Sequence, residues 1–210
     1  MLLAQVGVKC PDCGLSFNTR QVPVFLDIGR RNSELRKLFD VPEIQFEPYE
    51  VCTCPSCGKA DWMKLFPPTG TIGALNQPNT TPHLQYRNAA LAAERSGREM
   101  FEIAFFYLYA AWCADDTGAW PQAREYRKLA ASAFGKSLID GTCQHSRRAE
   151  TEYLIGELLR RAGEFEYCRE HLRQVIPQLP GKFALMGRKV MRFAEQGNVE
   201  AFLFETDTGP

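Results

Sequence analysis

Two hexapeptides, KCPDCG at 9–14 and TCPSCG at 53–58, are near copies of one another. No other feature of the chain restricts its folding so tightly. A Cys-x2-Cys pair lets both sulfurs face one ion, and a second pair completes a tetrahedron. Pro11 and Pro55 stiffen the backbone after the first thiolate of each pair. Gly14 and Gly58 follow the second thiolate, where a positive φ and a close backbone approach are needed. Backbone N–H groups can then point at the sulfurs and offset their charge. The expected ligands are Cys10, Cys13, Cys54 and Cys57 around a structural Zn²⁺. Iron is the alternative, because four-thiolate tetrahedra accept both metals. A closed shell of four thiolates leaves no position for water, so hydrolytic chemistry at the ion is not expected.

The expected role of the metal follows from size. Residues 1–66 are near the lower limit at which a hydrophobic core offsets chain entropy, and structural zinc contributes on the order of 10 kcal/mol. The second knuckle carries a spare thiol in CTCPSC. Cys52 falls in YEVCTC, which reads as a strand entering the knuckle, and it lacks the Pro/Gly frame of a ligand. Cys113, Cys143 and Cys168 lie in a helical region and read as isolated apolar fillers.

Between the knuckles, 16–25 and 46–54 carry β-branched and aromatic residues with one Pro each, a pattern of short edge strands. SELRKLF at 33–39 reads as a helical turn with Ser33 as N-cap. Arg30, Arg31, Arg36 and Lys37 form a local basic cluster, but residues 1–66 hold eight basic and eight acidic side chains. A nucleic-acid module shows a clear basic excess, so the cluster reads as solvated charge. The whole chain is balanced too, with 25 basic and 25 acidic residues, and no net field draws it toward polyanions or anionic membranes.

FPPTGTIGALNQPNTTP at 66–82 has no charge and is rich in turn-forming residues. It divides the expected zinc-ribbon domain, 1–66, from an expected helical domain over 83–200, with 67–82 as linker. Apolar periodicity beyond it predicts helices near 83–96, 98–115, 120–138, 146–162, 165–178 and 182–196. The longest apolar run, Ile103–Ala114, has twelve residues, which suits a buried helix and is too short to cross a bilayer. With no signal-peptide pattern at the start, a cytoplasmic location is expected. In ETEYLIGELLRRAGEFEYCREHLRQVIPQLP, 150–180, a tetratricopeptide frame puts Gly156 at the small-residue position. Cys168, Leu172 and Val175 then fall at the packing positions of the second helix. A second frame starts at Ala104. The fold class is α+β: a small ribbon with short strands, then an all-α tetratricopeptide-like domain.

CPDCG near the start, PYEVCTCPSCG and then YLIGELLRRAGEFE resemble, over roughly 9–178, a bacterial family of unknown function. Its members look like an N-terminal four-cysteine ribbon followed by tetratricopeptide-like helices. The resemblance implies that architecture and matches Cys10, Cys13, Cys54 and Cys57 to the family's presumed ligands. The chain departs from the pattern at Lys59-Ala60-Asp61 and in the extra Cys52.

No nucleophile–base arrangement, phosphate loop or dinucleotide glycine pattern is present, and a non-enzymatic role is expected. The leading expectation is a zinc-stapled scaffold that binds a protein or peptide through its helical groove. Arg147, Arg148, Arg160, Arg161, Arg169 and Arg173 are available to read acidic sequence there, or to pair with neighbouring glutamates. The alternatives are a nucleic-acid-binding ribbon and a thiol-based redox or zinc sensor that uses Cys52.

Overall fold

The computed structural model describes residues 3–22, 29–39 and 45–204. Among these residues two β-hairpins precede six α-helices. β1 (Ala4–Lys9) pairs antiparallel with β2 (Ser16–Gln21), and Val8 lies opposite Phe17. β3 (Val51–Thr53) pairs antiparallel with β4 (Ala60–Trp62), and Cys52 lies opposite Asp61. Each hairpin ends in one of the Cys-Pro-x-Cys-Gly turns. A single 3-10 turn, Glu47–Tyr49, takes the place of the strand expected at the start of 46–54. The part of 16–25 beyond Val22 lies outside the described residues.

The helices are α1 (Pro82–Arg95), α2 (Met100–Asp116), α3 (Trp120–Ile139), α4 (Arg148–Ala162), α5 (Phe165–Val175) and α6 (Gly181–Glu195). All six expected helices are present, with ends displaced by a few residues. Each packs against the next, and α4 also touches α6. α2 is apolar on nearly every side because it lies between α1 and α3, burying Ile103, Phe106, Leu108, Ala111 and Cys113. No helix among the described residues is long and apolar enough to cross a membrane. Gly156 on α4 lets α5 come close, since a Cβ there would stand 2.6 Å from the Leu172 side chain.

The uncharged stretch after the second hairpin is strapped to the first one. Lys9 N–H donates to Pro67 O at 2.8 Å, and Thr69 N–H donates to Gly7 O at 2.9 Å. Asn18 ties the far end: its Nδ2 donates to Gly73 O and its Oδ1 accepts from Gly73 N–H, both at 2.7 Å. Gly7 is required under this strap, because a Cβ would come within 1.9 Å of Thr71 O.

The segment expected as a helical turn, 33–39, is instead part of a tight non-helical turn. Asn32 Oδ1 accepts from Glu34 N–H at 2.9 Å and Arg36 N–H at 3.0 Å, and Leu35 has a φ of 61°. These side-chain bonds compete with helical ones and stop propagation. The turn is inserted among the helices, where Tyr153 OH donates to Ser33 O at 2.8 Å. The end of the described chain pairs with it: Ser33 N–H donates to Phe202 O at 2.6 Å and Phe204 N–H to Arg31 O at 2.9 Å.

Candidate metal centre

The two hairpin tips bring Cys10, Cys13, Cys54 and Cys57 together, with all four Sγ atoms within 4.8 Å of one another. The closest cross-pairs, Cys10–Cys57 and Cys13–Cys54, are both at 3.6 Å. Sulfurs on a tetrahedron with metal–sulfur bonds of about 2.3 Å stand about 3.8 Å apart, so the donor set and its spacing fit a metal site. They do not fit disulfides, whose sulfurs stand about 2.05 Å apart.

The same backbone pattern builds each tip. Cys10 N–H donates to Leu15 O at 2.8 Å, and Cys54 N–H to Lys59 O at 2.8 Å. Gly14 and Gly58, with φ of 75° and 73°, close the loops by donating back to Cys10 O and Cys54 O. Peptide N–H groups are aimed at sulfur: those of Cys13 and Asp12 at Cys10, that of Leu15 at Cys13, and that of Lys59 at Cys57. Their effect on acidity is clearest at Cys13, whose thiol the Leu15 N–H lowers to about 7. Cys57 also receives a lowering N–H, from Lys59, yet burial and its three neighbouring sulfurs carry it up to about 12. One thiolate therefore forms easily and each further one meets repulsion, which a cation at the centre relieves.

Cys52 is not part of this set. It is fully buried with Val8, Phe17 and Phe66 beneath the cage, and burial pushes its thiol up to about 12. Of the three helical cysteines, Cys113 and Cys168 are buried as expected. Cys143 is half-buried, and its sulfur lies 3.3 Å from Thr151 Oγ1, so it is not an apolar filler.

Two of the expected surface charges, Arg36 and Arg160, lie in the interior. Arg36 is 8% exposed and makes paired contacts to Glu47 (2.9 and 3.1 Å) and Asp116 (2.8 and 2.7 Å). It is not solvated charge. Beside it Glu34, 1% exposed, accepts from Arg127 Nε at 2.7 Å and Nη2 at 2.9 Å. Burial opposes the Glu34 charge, but Arg127 and Arg161 overcome it and hold the carboxyl at about 2. Arg160 is fully buried on Glu157 and also donates to Glu200 O, while Arg161 donates to Val199 O at 3.0 Å. The outer arginines behave as helix-surface pairs: Arg147 with Glu150, Arg148 with Glu152 and Arg169 with Glu166.

The buried charges on the helices, Arg127, Glu157 and Arg160, had one sequence signal: they fall among the buried apolar positions of α3 and α4. A family model described as an uncharacterized protein conserved in bacteria, DUF2225, matches residues 81–186. The chain belongs to that family. The DUF2225 match begins one residue before α1 and ends within α6, so it covers the helices and leaves the four cysteines outside. Comparison with curated proteins and with solved structures finds no match.

Proposed function

We propose that this DUF2225 protein is a zinc-stapled interaction scaffold, in which a structural Zn²⁺ on Cys10, Cys13, Cys54 and Cys57 fixes the hairpins and the helical body binds a protein or peptide segment. The observation that carries it is the way the helices hold the chain's own segment. The 31–36 turn lies against them as a bound peptide would, with its backbone paired to 202–204 and its Glu34 read by Arg127 and Arg161. A surface that reads a single glutamate with two arginines this way is suited to a partner segment that presents a carboxylate. The close Gly156–Leu172 contact favours the tetratricopeptide-like reading of α4 and α5. The thiolate donor set favours Zn²⁺ over hard cations. The ion's contribution would be to neutralise the four sulfurs and hold the tips in register.

Both alternatives lose ground. Withdrawal of Arg36 into the interior weakens the basic cluster that motivated nucleic-acid binding. Burial and a raised pKa keep Cys52 a poor nucleophile for redox sensing. The scaffold reading is tested with a photo-crosslinking residue at exposed Arg148, on the first turn of α4, against a control at exposed Ile139. Adducts with one cellular protein from position 148 and not from 139 are expected. Equal labelling, or none at 148, overturns the reading. Zinc at one equivalent per chain in the purified protein is expected by elemental analysis, and iron would replace it in the account.

A further inference from the structure

The last helix carries its charge differently from the three before it. On α3, α4 and α5, outer cations are answered by carboxylates one turn away: Lys128 by Glu125, Arg147 by Glu150, Arg148 by Glu152 and Arg169 by Glu166. Arg124 and Lys136 are left over, far apart on α3. α6 holds Lys182, Arg188, Lys189 and Arg192 against a single acid, Glu195, at its last position. Lys189 lies over the Phe202 ring at 4.6 Å. Lys182, Arg188 and Arg192 are exposed, and none forms an ion pair among the described residues.

These three share one side of the helix. Phe183, Met186, Gly187, Val190 and Ala194 turn the opposite side toward α4 and α5. The outer side then carries Lys182, Leu185, Arg188 and Arg192 in a stripe about 15 Å long. Leu185, in its middle, is 39% exposed. Arg188 and Arg192 stand one turn apart, and like charges at that spacing weaken a helix. An anionic partner converts the repulsion into attraction, and guanidinium groups take carboxylates in paired hydrogen bonds. Nucleic acid fits the stripe less well. Phe183 is buried and Phe193 half-buried, so no exposed ring is offered to bases, and Leu185 would face charged phosphates. Three cations and one leucine also fall short of the two signals that stable membrane attachment takes.

We propose that the outer face of α6 docks an acidic protein segment, whose carboxylates meet Lys182, Arg188 and Arg192 while an apolar residue covers Leu185. The proposal rests on the scaffold reading and assigns its contact to this helix. Arg147 and Lys182 line one cavity, so a segment lying along α6 ends beside the first turn of α4.

The test uses the purified full chain with its metal and a short labelled peptide of glutamates around one leucine, read by fluorescence anisotropy. Saturation of a single site is expected, with an affinity that falls as salt rises. Arg188→Glu with Arg192→Glu should weaken it by about tenfold and leave Tm unchanged, because both side chains are exposed and unpaired. Arg124→Glu with Lys136→Glu makes the same change of charge on α3 and should leave the affinity as it was. Equal binding of the glutamine counterpart of the peptide, equal loss in both double variants, or no saturation overturns the proposal. So does a single-stranded oligonucleotide or a phosphatidylserine vesicle that displaces the peptide and is itself lost in the α6 variant. A crosslinked adduct from position 148 that persists in the α6 variant removes this docking face and leaves the scaffold standing. Peptide binding to α6 with no adduct in cells upholds the face and overturns the scaffold's cellular role.

Discussion

The two hairpins carry nearly the same tip, yet they are secured to the molecule in different ways. The second is keyed into the helices. Trp62 stacks on Phe106 at 4.4 Å, its Nε1 donates to Glu102 at 3.0 Å, and Arg98 grips both Asp61 oxygens at 2.7 and 2.8 Å. Val51 and Ala60 belong to the helical core. The first hairpin has a small cluster of its own, Val8 and Phe17 with Cys10, Cys52, Cys54 and Phe66, and is otherwise tied down by the 67–77 strap. One tip is thus built on a core and the other is suspended from it. The shared cage is what makes the suspended tip as well placed as the anchored one.

Removing the proposed metal gives the largest expected effect. A structural four-thiolate ion contributes on the order of 10 kcal/mol, and the first hairpin has little else to replace it. Chelation under reducing conditions should abolish hydrogen-exchange protection over 4–21 while 51–62 stays protected with the helices. Equal loss in both hairpins would break the comparison. Trp62→Ala probes the opposite side. It removes a half-buried aromatic anchor at a cost of about 3 kcal/mol, read as a lowered Tm, with metal content unchanged.

The buried turn gives a comparable effect with a pH signature. Glu34 is held at about 2, against an ordinary carboxyl value of 4.5. A depressed folded-state pKa contributes stability that is complete above the unfolded value and disappears as pH falls through the folded one. Acid destabilisation should therefore develop between about 4.5 and about 2, and Glu34→Gln should flatten that part of the stability–pH curve. The same substitution leaves Arg127 short of a charge partner and should cost about 3 kcal/mol at neutral pH by chemical denaturation. Gly7→Ala is smaller. Its methyl must displace the strap at Thr71, for about 1–3 kcal/mol, and the loss should be confined to exchange protection in 4–21. Arg148→Ala, which removes an exposed surface pair, should shift Tm within error.

The cage and the helices were legible because each is written locally. Cys-Pro-x-Cys-Gly states its own geometry, and apolar residues at helical spacing state theirs. The 31–37 turn was not legible, since SELRKLF has helical composition. What decides its shape is Asn32 beside it and partners far along the chain: Asp116 for Arg36 and Arg127 for Glu34. Arg36 was misjudged for the same reason, because a cation with distant carboxylates looks like any surface cation. The strap was hidden by the opposite property. Its residues carry no charge, and its order comes from backbone bonds to a strand more than fifty positions earlier.

The interleaving of the 31–36 turn with residues 198–204 has a consequence for synthesis. Ribosomes deliver a chain from its first residue to its last, so Glu34 emerges long before Arg127, and Arg160 long before the Asn198 and Glu200 carbonyls that it binds. Until residues 198–204 arrive, a nascent chain holds guanidinium groups that must stay wet. The helical body can lock only once residues 198–204 have been made, and its closing stitch joins positions that stand 169 residues apart in the order of synthesis.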